Sequence, residues 1–283
     1  MTVPRASGYD PADIGRVQSL ALTLATVLGD LCEEELVIVG GFVPPLLIDQ
    51  ASLPPGAAAH IGTRDLDVAL SVTVLSNERY EAIADRLLSA GFTRDVNTKG
   101  NLTVQRWRSP WSGELLIDFL IPVSGPGIEP GDIQHLTKEL GAIATDGLEL
   151  VWIDRKRVTL TGTTLDGATA SRDVWVCGPG AFVVLKAIAF RVRGFPKDAY
   201  DLFYVLRNYG TGVSQIVAGV IAQVGDPAVQ RALQILDEDF DGPSKLGPVR
   251  IASFEARELD HTLKADVVAY CREFTHSMRA SPS

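Results

Sequence analysis

Read for the spacing of its apolar residues, the chain divides into two parts. Through residues 10–30, "IGRVQSLALTLATVLGDL" repeats at helical intervals and predicts an N-terminal helix. "ELVIVGG" is a short β-branched run closed by two glycines, which reads as a strand and a turn. "FVPPLLIDQ" then predicts a helix start, since proline is tolerated in a first turn, and "ASLPPGAAAHIG" a loop. "TRDLDVALSV" reads as a strand and "SNERYEAIADRLLSAG" as a helix, capped by Ser76 or Asn77 and ended by Gly91. "NLTVQRWRS" and "GELLIDFLIP" predict an antiparallel pair joined by a Trp/Ser/Gly turn. "ELVWIDRKRVTLTG" is β-rich. After "CGPG" at 177–180 every apolar stretch has helical spacing: "AFVVLKAIAFRVR", "KDAYDLFYVLRNYG", "VSQIVAGVIAQVG", "PAVQRALQILDEDF" and "ELDHTLKADVVAYCREF". The pattern predicts an α/β domain over residues 1–175 and a mainly helical domain over 176–283.

Against that pattern, two carboxylates stand out. Asp65 and Asp67 sit one residue apart in an otherwise apolar strand, so they share one face while Leu66, Val68 and Leu70 take the other. Burying unpaired charge is costly. Two carboxylates about 7 Å apart along a strand suit hard divalent cations, which prefer oxygen ligands. Asp118 in "LLIDFLIP" repeats the anomaly. If its strand neighbours the first, three acids converge in the manner of a two-metal phosphoryl-transfer site, and Asp118 is also a candidate general base. Gly40 and Gly41 precede a helix start, where backbone can approach a phosphate closely. Taken singly, each feature has a plainer reading: a solvated acid pair, a salt-bridge partner, a turn.

The order glycine pair, spaced DxD, later single acid resembles the polymerase-β-like nucleotidyltransferase superfamily. Within it the chain is similar to the AbiEii-like toxin branch, which includes the MenT-type tRNA-modifying toxins. There an α/β catalytic domain precedes a helical domain with a lysine and an acidic motif, resembling "LKAIAFRVRGFPKDAYDL" here. The resemblance implies a nucleotidyltransferase-type mixed sheet flanked by helices. It implies Mg²⁺ held by Asp65, Asp67 and Asp118, with catalytic roles for Lys186 and Asp201. It also implies an NTP held at Gly40, Gly41 and Asp198; Arg64, read from the residues alone, touches a phosphate or caps the strand entrance. Its acceptor would be the 3′ end of tRNA, and its setting a toxin-antitoxin or phage-defence system with a neutralising antitoxin protein. A protein or small-molecule acceptor, a non-catalytic nucleotide-binding module and a DxD glycosyltransferase remain alternatives. Read from the residues alone, Lys186 snorkels from an apolar helix or reaches a phosphate, and Asp198 and Asp201 share a helix face that Arg191 or Arg193 could neutralise. Trp107 and Trp111 are candidates to stack on a base, with core or hairpin packing as the plainer account.

Composition narrows the rest. The 283 residues are 46% hydrophobic and 22% charged, an ordinary globular balance. With no apolar run of membrane-spanning length and no signal pattern, a cytoplasmic protein without membrane contact is expected. Cys32, Cys177 and Cys271, like the four histidines, lack metal-ligand spacing. A net charge of −9 disfavours general nucleic-acid coating. An RNA acceptor would then depend on local cations, expected at Arg155, Lys156, Arg157, Arg191, Arg193 and Lys197. The "DEDFD" run at 237–241 reads as a solvated loop.

Overall fold

The computed structural model describes residues 5–10, 12–53, 57–71 and 77–280; Ser76 lies outside them. The fold is a mixed α/β arrangement, a nine-stranded sheet flanked by helices and followed by a helical C-terminal part. Helix α1 (Ala12–Leu28) stops at Gly29, whose φ of 55° continues no right-handed helix, and a short α2 (Asp30–Glu35) follows. Strand β1 (Leu36–Val39) is buried throughout. It runs into a 3₁₀ turn at Gly40–Phe42 and a one-turn α3 (Val43–Leu47) that opens on prolines. Strand β2 (Asp65–Leu70) and helix α4 (Asn77–Ser89) come next.

The remaining strands are β3 (Thr93–Val96), β4 (Leu102–Arg108), β5 (Leu116–Pro122), β6 (Ile133–His135), β7 (Gly141–Thr145), β8 (Arg155–Thr163) and β9 (Thr169–Cys177). The main path across the sheet runs β3-β4-β5-β2-β1-β9-β8, with β7 pairing β5 and β6 pairing β7. The antiparallel β4–β5 pair forms as the sequence predicts. Strand β2 is antiparallel to β1 and parallel to β5, so the DxD strand sits mid-sheet between the strand ending in glycines and the strand bearing Asp118.

Elsewhere the periodicity misleads. The start of "ELVWIDRKRVTLTG" is a helical turn, α5 (Leu150–Ile153), and only then strand β8, paired along its whole length with β9. The short apolar run at 150–153 suits a buried helix as well as a strand. Strand β3, polar and only four residues long, gives no apolar alternation to read.

The switch to helices falls at Gly178. Helix α6 (Pro179–Arg193) is capped from a distance, since the Gly180 and Ala181 N–H groups donate to Asp154 Oδ2 at 2.8 and 3.0 Å. It ends at Gly194 in the left-handed conformation, and Pro196 opens α7 (Pro196–Asn208). Then follow α8 (Val213–Val217), α9 (Pro227–Phe240), α10 (Leu246–Phe254) and α11 (His261–Ala280). The single helix expected at "VSQIVAGVIAQVG" is instead α8 plus a 3₁₀ turn at Ile221–Gln223. The acidic run at 237–241 is no solvated loop. It closes α9, and its acids pair with Arg191, Arg272 and Arg279. Among the described residues, no helix is long and apolar enough to cross a membrane.

Candidate functional site

On β2, Asp65 and Asp67 are partly buried while Leu66 and Val68 are buried beneath them, as alternation requires. Parallel pairing puts Asp67 in register with Asp118 on β5, and antiparallel pairing puts it in register with Val39 on β1. Gly40 follows Val39 immediately. Its φ is +71°, and a Cβ there would overlap the Asp67 carboxylate. A Cβ on Gly41 would stand 3.0 Å from both Lys197 Nζ and Thr63 Oγ1. The glycine turn therefore lies between a carboxylate and an ammonium, each close to bare backbone.

The three strand acids differ in their commitments. Arg106 donates to both Asp118 oxygens, Nε to Oδ1 at 2.7 Å and Nη2 to Oδ2 at 2.6 Å. This bidentate pair raises Arg106 further above the ordinary guanidinium range. The carboxylates of Asp65 and Asp67, among the described residues, accept no hydrogen bond and join no ion pair. Burial raises the Asp65 carboxyl, against the pull of Arg106. Burial, and then the neighbouring Asp118 charge, push Asp67 up to about 7. Among the described residues, no three His, Cys, Asp or Glu side chains already form a metal-holding group. A cation here would take Asp65 and Asp67 as two protein ligands and need further oxygens from a substrate. That fits Mg²⁺, which commonly pairs one or two carboxylates with substrate phosphates. Asp118 has lone pairs left for a third contact even while held by Arg106.

Facing these acids is a wall built by α6 and α7. Lys186 Nζ donates to Asp198 Oδ1 at 3.0 Å and to Asp201 Oδ2 at 2.7 Å. Arg193 donates to Asp198 Oδ1 at 2.8 Å, and Lys197 to both Asp201 oxygens at 2.9 and 3.0 Å. His60 completes the set. The Gly62 N–H donates to its Nδ1 at 3.1 Å, so Nε2 carries the proton and donates to Asp201 Oδ1 at 3.0 Å. Burial lowers the His60 ring and keeps it neutral. Burial would also lower Lys186, but Asp201 and Asp198 override it and hold the ammonium above the ordinary lysine range. Burial would raise Asp201; Lys186, Lys197 and the His60 bond instead hold it far below the usual carboxylate range. For Lys197 burial wins and the ammonium is lowered. With His60 neutral, three cations face two carboxylates, leaving a surplus positive charge.

Between acids and wall lies a cleft of about 420 Å³. Its lining includes Gly41, Thr63, Asp65, Asp67, Lys186, Arg193, Lys197 and Asp198, together with Arg5, Gly8 and Tyr9 of the N-terminal segment. Arg64 lines it too, but its Nε donates to Asp13 at 3.1 Å and its Nη2 to the Gly8 carbonyl at 3.0 Å, tethering the N-terminal segment. Asp201 stands behind the lining, fully buried. No known protein-family profile matches the chain, and no curated protein matches it. The likeness to the nucleotidyltransferases rests on these residues alone.

One expectation changes, and for the tryptophans the plainer account holds. Arg155, Lys156, Arg157 and Arg191 do not line the cleft; Arg157 pairs with Asp173, and Arg191 with Glu238 and Asp239. Trp107 is fully buried, and Trp111 packs edge-on against Phe92 with centroids 5.7 Å apart, so neither faces the cleft. Sequence reasoning passed over His60, which has no motif around it, and Arg106, whose partner is set by strand register. It also cast Lys197 as an RNA contact, although its place before Asp198 and one helical turn before Asp201 marks it as part of the wall.

Proposed function

We propose that the chain is a Mg²⁺-dependent nucleotidyltransferase that moves an NMP from an NTP onto an acceptor hydroxyl. The observation that carries this reading is the pair of uncommitted carboxylates, Asp65 and Asp67, set across one cleft from a wall with surplus positive charge. Opposed charges of that kind suit a metal-bound polyphosphate better than either partner alone. Asp65 and Asp67 hold the divalent ions, and Asp118, steadied by Arg106, supplies a third oxygen contact or accepts the acceptor's proton. When bound, Mg²⁺ supplies activation of the attacking hydroxyl and charge neutralisation of the phosphates.

The chain's own groups do the rest. The bare backbone at Gly40–Gly41 lets a phosphate come close. Lys197 and Arg193 meet it from the wall as fixed positive charges, already oriented before substrate arrives. Lys186 lines the same cleft and has a second task. Its ammonium anchors Asp198 and Asp201, which in turn hold Arg193 and Lys197 in place.

For the acceptor we propose an RNA 3′ hydroxyl, that of tRNA, with the chain acting as a toxin held in check by an antitoxin protein. A protein or small-molecule acceptor is the second reading. It is favoured by the net charge of −9 and by the pairing of Arg157 and Arg191 with acids of this same chain. The test is incubation with each NTP labelled at the α-phosphate, Mg²⁺, and either total RNA or cell protein. Label on RNA, falling steeply as salt rises from about 50 to about 200 mM, supports the first acceptor. Label on protein or a small molecule, with a flat salt profile, supports the second. No transfer with any NTP sinks the enzymatic reading.

A further inference from the structure

The cleft carries a third kind of surface beside its acids and cations. Phe195 and Pro196 line it, and Phe195 is 52% exposed. Other large apolar side chains are exposed on the surface as well, but Phe195 is the one that lines this cleft among those described. Here the backbone holds it out. Gly194 turns the chain at φ 66°, Phe195 is extended at φ −74° and ψ 124°, and Pro196 fixes the next residue as the first of α7. The Arg193 guanidinium lies 5.7 Å from the ring centroid. Two residues on is Lys197, next to the glycine turn. Three on is Asp198, another lining residue, whose Oδ2 is buried with no hydrogen-bond partner among the described residues. A wall with an unanswered acceptor beside an open aromatic ring has the character of a ligand-facing surface.

We propose that Phe195 is the platform on which the nucleobase of the incoming nucleotide stacks, with the Arg193 guanidinium beside it. This rests on the nucleotidyltransferase reading above. Phe195 lines the same cleft as Gly41, Arg193 and Lys197, the groups assigned to the phosphates, so base and phosphates would share one cavity. Stacking of this kind is tolerant of base identity, because every base offers a π-face. Neither Trp107 nor Trp111 competes for the role, since neither lines the cleft.

The test is calorimetry in Mg²⁺ with two probes, an α,β-non-hydrolysable ATP analogue and inorganic tripolyphosphate. The proteins are wild type, Phe195→Ala, Phe195→Leu and Phe195→Trp, each with its melting curve. The alanine and leucine variants should lose affinity for the nucleotide by roughly tenfold while tripolyphosphate binding stays within about twofold, and tryptophan should retain nucleotide binding. Leucine keeps apolar bulk without a π-face, so its loss separates stacking from simple burial. Equal nucleotide affinity in wild type and alanine variant, or equal loss of both probes in a folded variant, overturns the platform and leaves the phosphate site standing. Wild-type protein that binds neither probe overturns the nucleotidyltransferase reading and the platform with it.

Discussion

Two sets of aspartates face each other across one cleft, and they have been treated in opposite ways. On the sheet side, the carboxylates of Asp65 and Asp67 have no partner among the described residues, and burial lifts Asp67 to about 7. On the helical side, Asp201 accepts from Lys186, Lys197 and His60, and its carboxyl is driven far below the ordinary range. Residue type does not separate them, and neither does depth alone. The difference lies in whether the fold answers the charge or leaves it for something else to answer. A paired buried acid is architecture, whereas an unpaired one is an energetic liability that a ligand must relieve.

The contrast is broken most severely by removing the helical side's central cation. Lys186→Met should leave Asp198 with Arg193 alone and Asp201 with Lys197 and the His60 hydrogen bond. It should cost about 3–5 kcal/mol of stability, read by urea unfolding; a loss under about 1 kcal/mol would mean the wall does not depend on Lys186.

On the sheet side the signs reverse. Asp67→Asn should cut transfer roughly 100-fold or more. Yet the metal-free protein should melt at the same or a higher temperature, because an amide carries no charge to desolvate. A lower melting point with activity kept would turn Asp67 into a structural residue.

Smaller effects sharpen the comparison. Gly40→Ala and Gly194→Ala both force alanine into left-handed backbone, at about 1–2 kcal/mol each. Only at Gly40 does the new Cβ collide with a carboxylate; at Gly194 it meets open space. The Mg²⁺-induced rise in melting temperature should therefore shrink in the first variant and persist in the second. If both respond alike, the glycine turn has no special tie to Asp67.

The smallest effect is a pH slope from His60. Its folded pKa lies below the unfolded value of 6.5. The unfolded chain thus takes up a proton first, and stability present above pH 6.5 is lost as pH falls below it. His60→Gln, which can still donate to Asp201, should remove that slope, at most about 1.4 kcal/mol per pH unit. Matching slopes in both proteins would mean that burial does not lower the His60 ring.

What the sequence disclosed follows the range of the forces involved. Strand alternation is local, so the shared face of Asp65 and Asp67 and the antiparallel β4–β5 pair could be read directly. Helical spacing likewise marked α6, α7, α9 and α11. The β8–β9 hairpin lost its first residues to a helical turn because a four-residue apolar run has no decisive period. Commitments between distant side chains left no local trace. Arg106 meets Asp118 because two strands settle in one register, and His60 meets Asp201 across most of the sheet's length of chain. Nothing in "AAAHIG" distinguishes that histidine from one in any loop.

The α6–α7 hairpin also bears on the order of assembly. Lys186 reaches Asp198 and Asp201 across only 12 and 15 positions, a loop closed at small entropic cost, whereas His60 reaches Asp201 across 141. Contacts of short sequence separation are the kinetically accessible ones. The Lys186 ion pairs of the wall are thus able to close before the sheet docks against it. The same hierarchy runs in reverse during fluctuations. The segment carrying His60 and Arg64 can detach while the hairpin's ion cluster stays closed, so hydrogen exchange at residues 57–64 should outpace that of α6 and α7. The edge of the cleft formed by Thr63 and Arg64 is then the part that breathes, while the wall opposite holds its shape.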